Sequence, residues 1–91
     1  MADIEIRRPS EEELAEGGIR KWPVWEKEAG TFDWHYDQPE TCYLLEGRVR
    51  VTPKDGSGPV EFGAGDLVSF PEGLSCVWEI SEDVRKHYRF G

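Results

Sequence analysis

Gly30-Thr-Phe-Asp-Trp-His-Tyr-Asp-Gln-Pro-Glu40-Thr-Cys-Tyr-Leu-Leu-Glu-Gly47, together with the later Gly65-Asp-Leu-Val-Ser-Phe-Pro71-Glu-Gly73-Leu-Ser-Cys76, is the pair of segments on which the fold is decided. Successive residues of a strand face opposite sides of a sheet, so parity sorts these side chains. In Thr31–Asp37 the rings Phe32, Trp34 and Tyr36 fall together, opposed by Thr31, Asp33, His35 and Asp37. The rings are expected inside, as core, and His35 outside. After the Gln38-Pro39 turn, Glu40, Cys42, Leu44 and Glu46 share one parity, and Thr41, Tyr43 and Leu45 the other. Cys76, Trp78 and Ile80 form a third same-face set.

Outward from these segments the chain from Ile19 reads as strand after strand. Turns fall at Gly30, Gln38-Pro39, Lys54–Gly58, Gly63–Gly65 and Pro71–Gly73. Asp55-Gly56 is the strongest hairpin signal and joins Gly47–Pro53 to Pro59–Phe62. The last strand, Val84–Phe90, alternates, with Lys86 on the face of Val84, Tyr88 and Phe90; Arg85, His87 and Arg89 take the other face, where His87 is expected in solvent. Near the start, Ile4–Arg7 alternates like an edge strand. Ser10 followed by Glu13 has capping-box spacing, and Gly17-Gly18 is a stop, which predicts a helix over Glu11–Glu16. Its acidic first turn suits the positive end of the helix dipole. Asp66 is expected to satisfy turn backbone groups. Short strands punctuated by Gly and Pro, with almost no helix, argue for a closed or sandwiched antiparallel architecture.

The 91 residues are expected to form one domain over 1–91, with a core barrel over about 19–90 and a small core stocked by four Trp, three Tyr and four Phe. Nineteen acidic against eleven basic residues give a net charge of −8, which disfavours phosphate backbones and anionic lipid surfaces as partners. No apolar run approaches a membrane span, and Met1–Ile6 lacks the basic start and apolar middle of a signal peptide, so the expected address is the cytoplasm. There, Cys42 and Cys76 are expected as free thiols.

Glu40 and Gly47 keep a Glu-x6-Gly spacing, and Gly65, Pro71 and Gly73 keep a Gly-x5-Pro-x-Gly spacing. These resemble the paired motifs of the cupin superfamily. The wording of Trp34–Gly47, Gly65–Cys76 and Val84–Tyr88 is similar to small single-domain members grouped with the (S)-ureidoglycine aminohydrolase cupin domain. The resemblance covers roughly Lys21 to Phe90 and implies a single-domain, all-β jelly-roll barrel with one short N-terminal helix, commonly dimeric. It implies that Glu40 faces inward and places Cys76 where the family keeps a histidine. The family's histidine pair falls either on Asp33 and His35 or on Trp34 and Tyr36, and parity favours the second.

The interior that follows is a cleft of candidate ligand-binding residues Trp34, Tyr36, Glu40, Cys42, Cys76 and Trp78. Lys86 shares the inward parity, and its ammonium needs a carboxylate partner such as Glu40. A metal centre needs three or four converging donors. Only Glu40 survives at its family position, so neither a metal nor another cofactor is expected; a divalent transition metal, if bound, would draw on Glu40, Cys76 and His35. The leading expectation is a small-molecule-binding cupin with Glu40 as orienting acceptor. The competing one is a hydrolase or isomerase acting on a small nitrogen-containing or sugar-like metabolite, with Glu40, Cys76 or Lys86 as catalytic candidates and Cys42 as a further thiol. A third treats the barrel as an interaction module that dimerises through outward Tyr43 and Leu45. Against all of these, free cysteines and large rings are the ordinary contents of a core.

Overall fold

The computed structural model describes residues 4–91; the reading of Met1–Asp3 as a non-leader start lies outside the described residues. The elements in order are β1 (Glu5–Arg7), α1 (Glu11–Glu16), a 3₁₀ turn (Ile19–Lys21), β2 (Val24–Lys27), β3 (Gly30–His35), β4 (Glu40–Pro53), β5 (Val60–Gly63), β6 (Leu67–Phe70) and β7 (Ser75–Phe90). Sheet accounts for 58% of the described residues, in the arrangement of a single-domain jelly roll.

Two long strands form the spine. β4 and β7 run antiparallel from Glu40 against Phe90 to Pro53 against Cys76. On its other edge β7 carries β3 along its first half, pairing Gly30–His35 with Ile80–Ser75, and β2 along its second half, pairing Val24–Lys27 with His87–Val84. β4 in turn carries β6 beside Glu40–Tyr43 and β5 beside Arg48–Val51, and β1 adds to β6. Every pairing is antiparallel.

The parity rule holds on each half of β4 and breaks between them. Glu40, Cys42 and Leu44 are buried on the even positions, whereas Val49, Val51 and Pro53 are buried on the odd ones. Register irregularities between Leu44 and Val49 add the extra residues that switch the face, leaving Glu46 and Arg48 exposed. Gly47 lies in this switch at φ 107°, and a Cβ there would stand 2.6 Å from the Asp83 carbonyl and 2.8 Å from Val84 Cα. The glycine is therefore required both by conformation and by the close approach of β7.

The main core gathers Tyr36, Cys42, Leu44, Val49, Val51, Phe62, Val68, Phe70, Leu74, Cys76, Trp78, Ile80 and Val84. Aromatic contacts bind it: Tyr36 stacks on Phe70 at 4.7 Å, and Phe62 meets Trp78 edge-on at 5.7 Å. A smaller cluster of Leu14, Ile19 and Leu67 seats α1 and the 3₁₀ turn on the outer face of the sheet, with Trp22 and Tyr43 against it. Ser10 closes the predicted capping box: its hydroxyl accepts from Glu13 N at 3.2 Å, and the Glu13 carboxylate accepts from Ser10 N. The Asp66 carboxylate accepts from Gly63 N at 2.9 Å, the turn role read for it.

This outer layer corrects one expectation. His87 is only 8% exposed, and the Trp22 carbonyl accepts from its Nδ1 at 2.8 Å. Tyr43 points outward, as expected, and is half-buried against the α1 cluster.

Candidate functional site

One end of the barrel opens into a cleft of about 190 Å³ whose wall is almost wholly aromatic: Trp25, Phe32, Trp34, Tyr36, Trp78, Tyr88 and Phe90. Its remaining lining residues are Glu40 and Lys86. β2, β3 and β7 supply all the rings but Tyr36, which directly follows β3, and β4 supplies Glu40 at its first position, directly after Pro39.

Lys86 Nζ donates to Glu40 Oε2 at 2.6 Å, with both side chains about 95% covered. Two buried charges are tolerable only when paired and otherwise well solvated by the protein. Here the aromatic wall completes the solvation, since Nζ stands 4.8 Å from the centre of the Trp25 ring and 4.9 Å from that of Trp78. Trp25 and Trp78 meet edge-on at 6.2 Å, forming a corner around the ammonium. Next to this corner Phe32 stacks on Trp78 at 5.9 Å, and Trp78 Nε1 donates to the Tyr36 hydroxyl at 3.2 Å. Burial, reinforced by the Glu40 charge, holds the Tyr36 phenol far above its ordinary range, so it stays protonated.

Of the expected cleft residues, Trp34, Tyr36, Glu40 and Trp78 line it, and Lys86 pairs with Glu40 as parity required. Trp34 departs from the core placement expected of it: it shares the inward parity but stands at the mouth, 42% exposed, near the end of a strand paired only with β7. Cys42 and Cys76 depart further. Both are fully covered, and neither lines the cleft, because the rings of Tyr36 and Trp78 reach past these short side chains. Burial pushes the Cys42 thiol up to about 12 and the Cys76 thiol up to about 11. Neither is poised as a nucleophile or ligand at neutral pH.

The residues present do not fit a cupin metal centre. Among the described residues no group of three or more His, Cys, Asp or Glu side chains converges. His35 points away from the cleft, its Nδ1 2.7 Å from Ser75 Oγ and its Nε2 3.6 Å from Asp37, and Glu40 already serves an ammonium.

Trp25, Phe32, Tyr88 and Phe90 complete the wall but were not among the candidate site residues. Tyr88 and Phe90 carried a signal, since they share the parity of Lys86. Trp25 carried none, because the four residues of β2 contain both a tryptophan and a valine and the valine is the exposed one.

Against known proteins, the family model that matches is that of the EutQ-like cupin domain, over residues 14–88. The chain belongs to this family. Among solved structures it is similar to a DUF861 family protein from Thermotoga maritima, with 50% identity and a TM-score of 0.94 over 98% of this chain and 100% of that one. It also resembles the EutQ protein of Clostridium difficile, at 20% identity and a TM-score of 0.65, covering 98% of this chain and 68% of that one. A DUF861 family protein of unknown function from Pseudomonas syringae is similar at 28% identity and a TM-score of 0.66, over 75% of this chain and 29% of that one. No curated protein matches the chain. The cupin family read from the motifs is thus established, at the level of the EutQ-like domain.

Proposed function

We propose that this EutQ-like cupin binds a small polar metabolite in the aromatic cleft, using the Glu40–Lys86 pair in place of a metal centre. The observation that carries this reading is the position of the pair: two charges lie at the cleft surface inside a cage of rings, although apolar residues of like volume would hold the barrel as well. Concave, mainly apolar sites with a few converging polar groups are the usual form of small-molecule sites. A volume of about 190 Å³ lies below the roughly 300–1,000 Å³ of drug-sized sites, which limits the ligand to a small molecule.

Trp34 and Phe90, 42% and 45% exposed at the mouth, offer ring faces on which such a molecule can stack. The likeness to the (S)-ureidoglycine aminohydrolase cupin domain supplies test compounds, not an activity. A cytoplasmic address and a homodimer belong to the same reading; the family resemblance supports the homodimer, which light scattering tests.

The test is a thermal-shift screen of small metabolites followed by tryptophan-fluorescence titration with a chelator present. Binding that survives the chelator and is lost in Trp34→Ala is the expected result. A broad metabolite panel without a single cleft ligand would count against the reading, as would binding that requires added metal.

A further inference from the structure

Building on the cleft reading above, we infer that the ligand is an uncharged molecule of single-ring size whose N–H or O–H group donates to Glu40 Oε1. Only one carboxylate oxygen is accounted for. Oε2 accepts from Lys86, while Oε1 has no hydrogen-bond partner among the described residues, on a side chain that is 4% exposed. No fully covered side-chain oxygen or nitrogen lacks a partner among the described residues, so Oε1 opens onto the cleft that Glu40 lines. An ionised carboxylate is acceptor-only and takes several donors. One lone oxygen facing an aromatic cavity therefore calls for a donor from whatever enters.

The same neighbourhood selects against charge of either sign. An anion placed there would meet the Glu40 carboxylate and the negative faces of the surrounding rings. A cation would be drawn by the remaining rings, but the ring faces at the Trp25–Trp78 corner are already taken by the Lys86 ammonium, whose repulsion opposes a second positive charge beside Glu40. The floor is neutral as a pair, and only a neutral guest leaves it so. Phe32, Trp34 and Phe90 add flat surfaces along the walls and mouth, which favour a planar body or one with a C–H face. Amides, lactams and hydroxylated rings share this chemistry.

Four matched probes test it by fluorescence titration and ligand-observed NMR: benzamide, N,N-dimethylbenzamide, benzoate and benzylammonium. Benzamide is expected to bind at least tenfold tighter than the other three, because it alone is neutral and carries N–H donors. In Glu40→Gln, which keeps the shape and frees Lys86 from its carboxylate, benzoate is expected to gain at least tenfold relative to benzamide. Should that variant fail to fold, the wild-type comparison decides alone. Benzoate or benzylammonium binding as tightly as benzamide would overturn the inference while leaving the cleft reading intact, and equal binding of the dimethyl amide would do the same. Absence of binding by all four would overturn it too, and the metabolite panel would then decide the cleft reading separately.

Discussion

Replacing Lys86 with Met should destabilise this domain by about 3–5 kcal/mol, the range for breaking a buried ion pair from one side. Methionine keeps the apolar stem against Trp25 and Trp78 but strands the Glu40 carboxylate, whose partner stood 2.6 Å away in a site about 95% covered. Glu40→Ala should cost less, about 2–3 kcal/mol. The stranded ammonium still has two ring faces at 4.8 and 4.9 Å, each of the kind that contributes up to about 2 kcal/mol when desolvated. The double variant Glu40→Leu with Lys86→Met leaves no buried charge and should lie within about 1 kcal/mol of the wild type. Urea unfolding followed by tryptophan fluorescence measures all three. For a small domain whose total stability is about 5–15 kcal/mol, such losses also shift Tm by about 4–8 °C per kcal/mol. A Lys86→Met cost below about 1 kcal/mol, or a double variant as unstable as the two single losses combined, would refute the account of a buried, mutually dependent pair.

Three further outcomes follow from the core and the face switch. Gly47→Ala should destabilise by roughly 2–4 kcal/mol in the same unfolding assay, since its Cβ meets three β7 backbone atoms within 3 Å at a positive φ. Trp78→Ala should cost about 3–5 kcal/mol and quench the signal of the cleft, because it removes a ring in contact with Trp25, Phe32, Phe62 and Phe70. Cys42 gives a pH signature: its folded-state pKa is raised from 9.0 to about 12, so the native state holds a proton that the unfolded state releases. The contribution of Cys42 should be constant below about pH 9 and fall by up to roughly 1.4 kcal/mol per unit as pH rises toward 12; Cys76 and Tyr36, also raised, add to the total slope, and Cys42→Ala should remove its own share. Thiol labelling at pH 8 should accordingly require unfolding.

Much of the fold was legible because local chemistry and tertiary structure agree. The Ser10 cap, the Asp55-Gly56 turn and the glycines of both motifs each demand a backbone that the barrel supplies. In the site, strict alternation along β7 was enough to place Lys86 inside and to require a carboxylate there. What parity cannot convey is depth and shift of register. Trp34 faces the right way but ends at the mouth, and the bulges of β4 turn Glu46 out although it shares the parity of Glu40. Nor does parity report what lies on the outer face: buried His87 meets the carbonyl of Trp22, a residue sixty-five positions away in sequence. The cysteines missed the cleft for a reason of length, since a two-atom side chain cannot reach past neighbouring rings.

The β4–β7 ladder also orders events in time. Pro53 and Cys76 are its nearest ends along the chain, while Glu40 and Phe90 are its farthest, so loop-closure entropy favours zipping from the first pair toward the second. The carboxylate and the ammonium meet near the end of that sequence. Substitutions there should therefore hasten unfolding and leave the refolding rate nearly untouched, and a ligand bound beside the pair should act chiefly as a brake on opening.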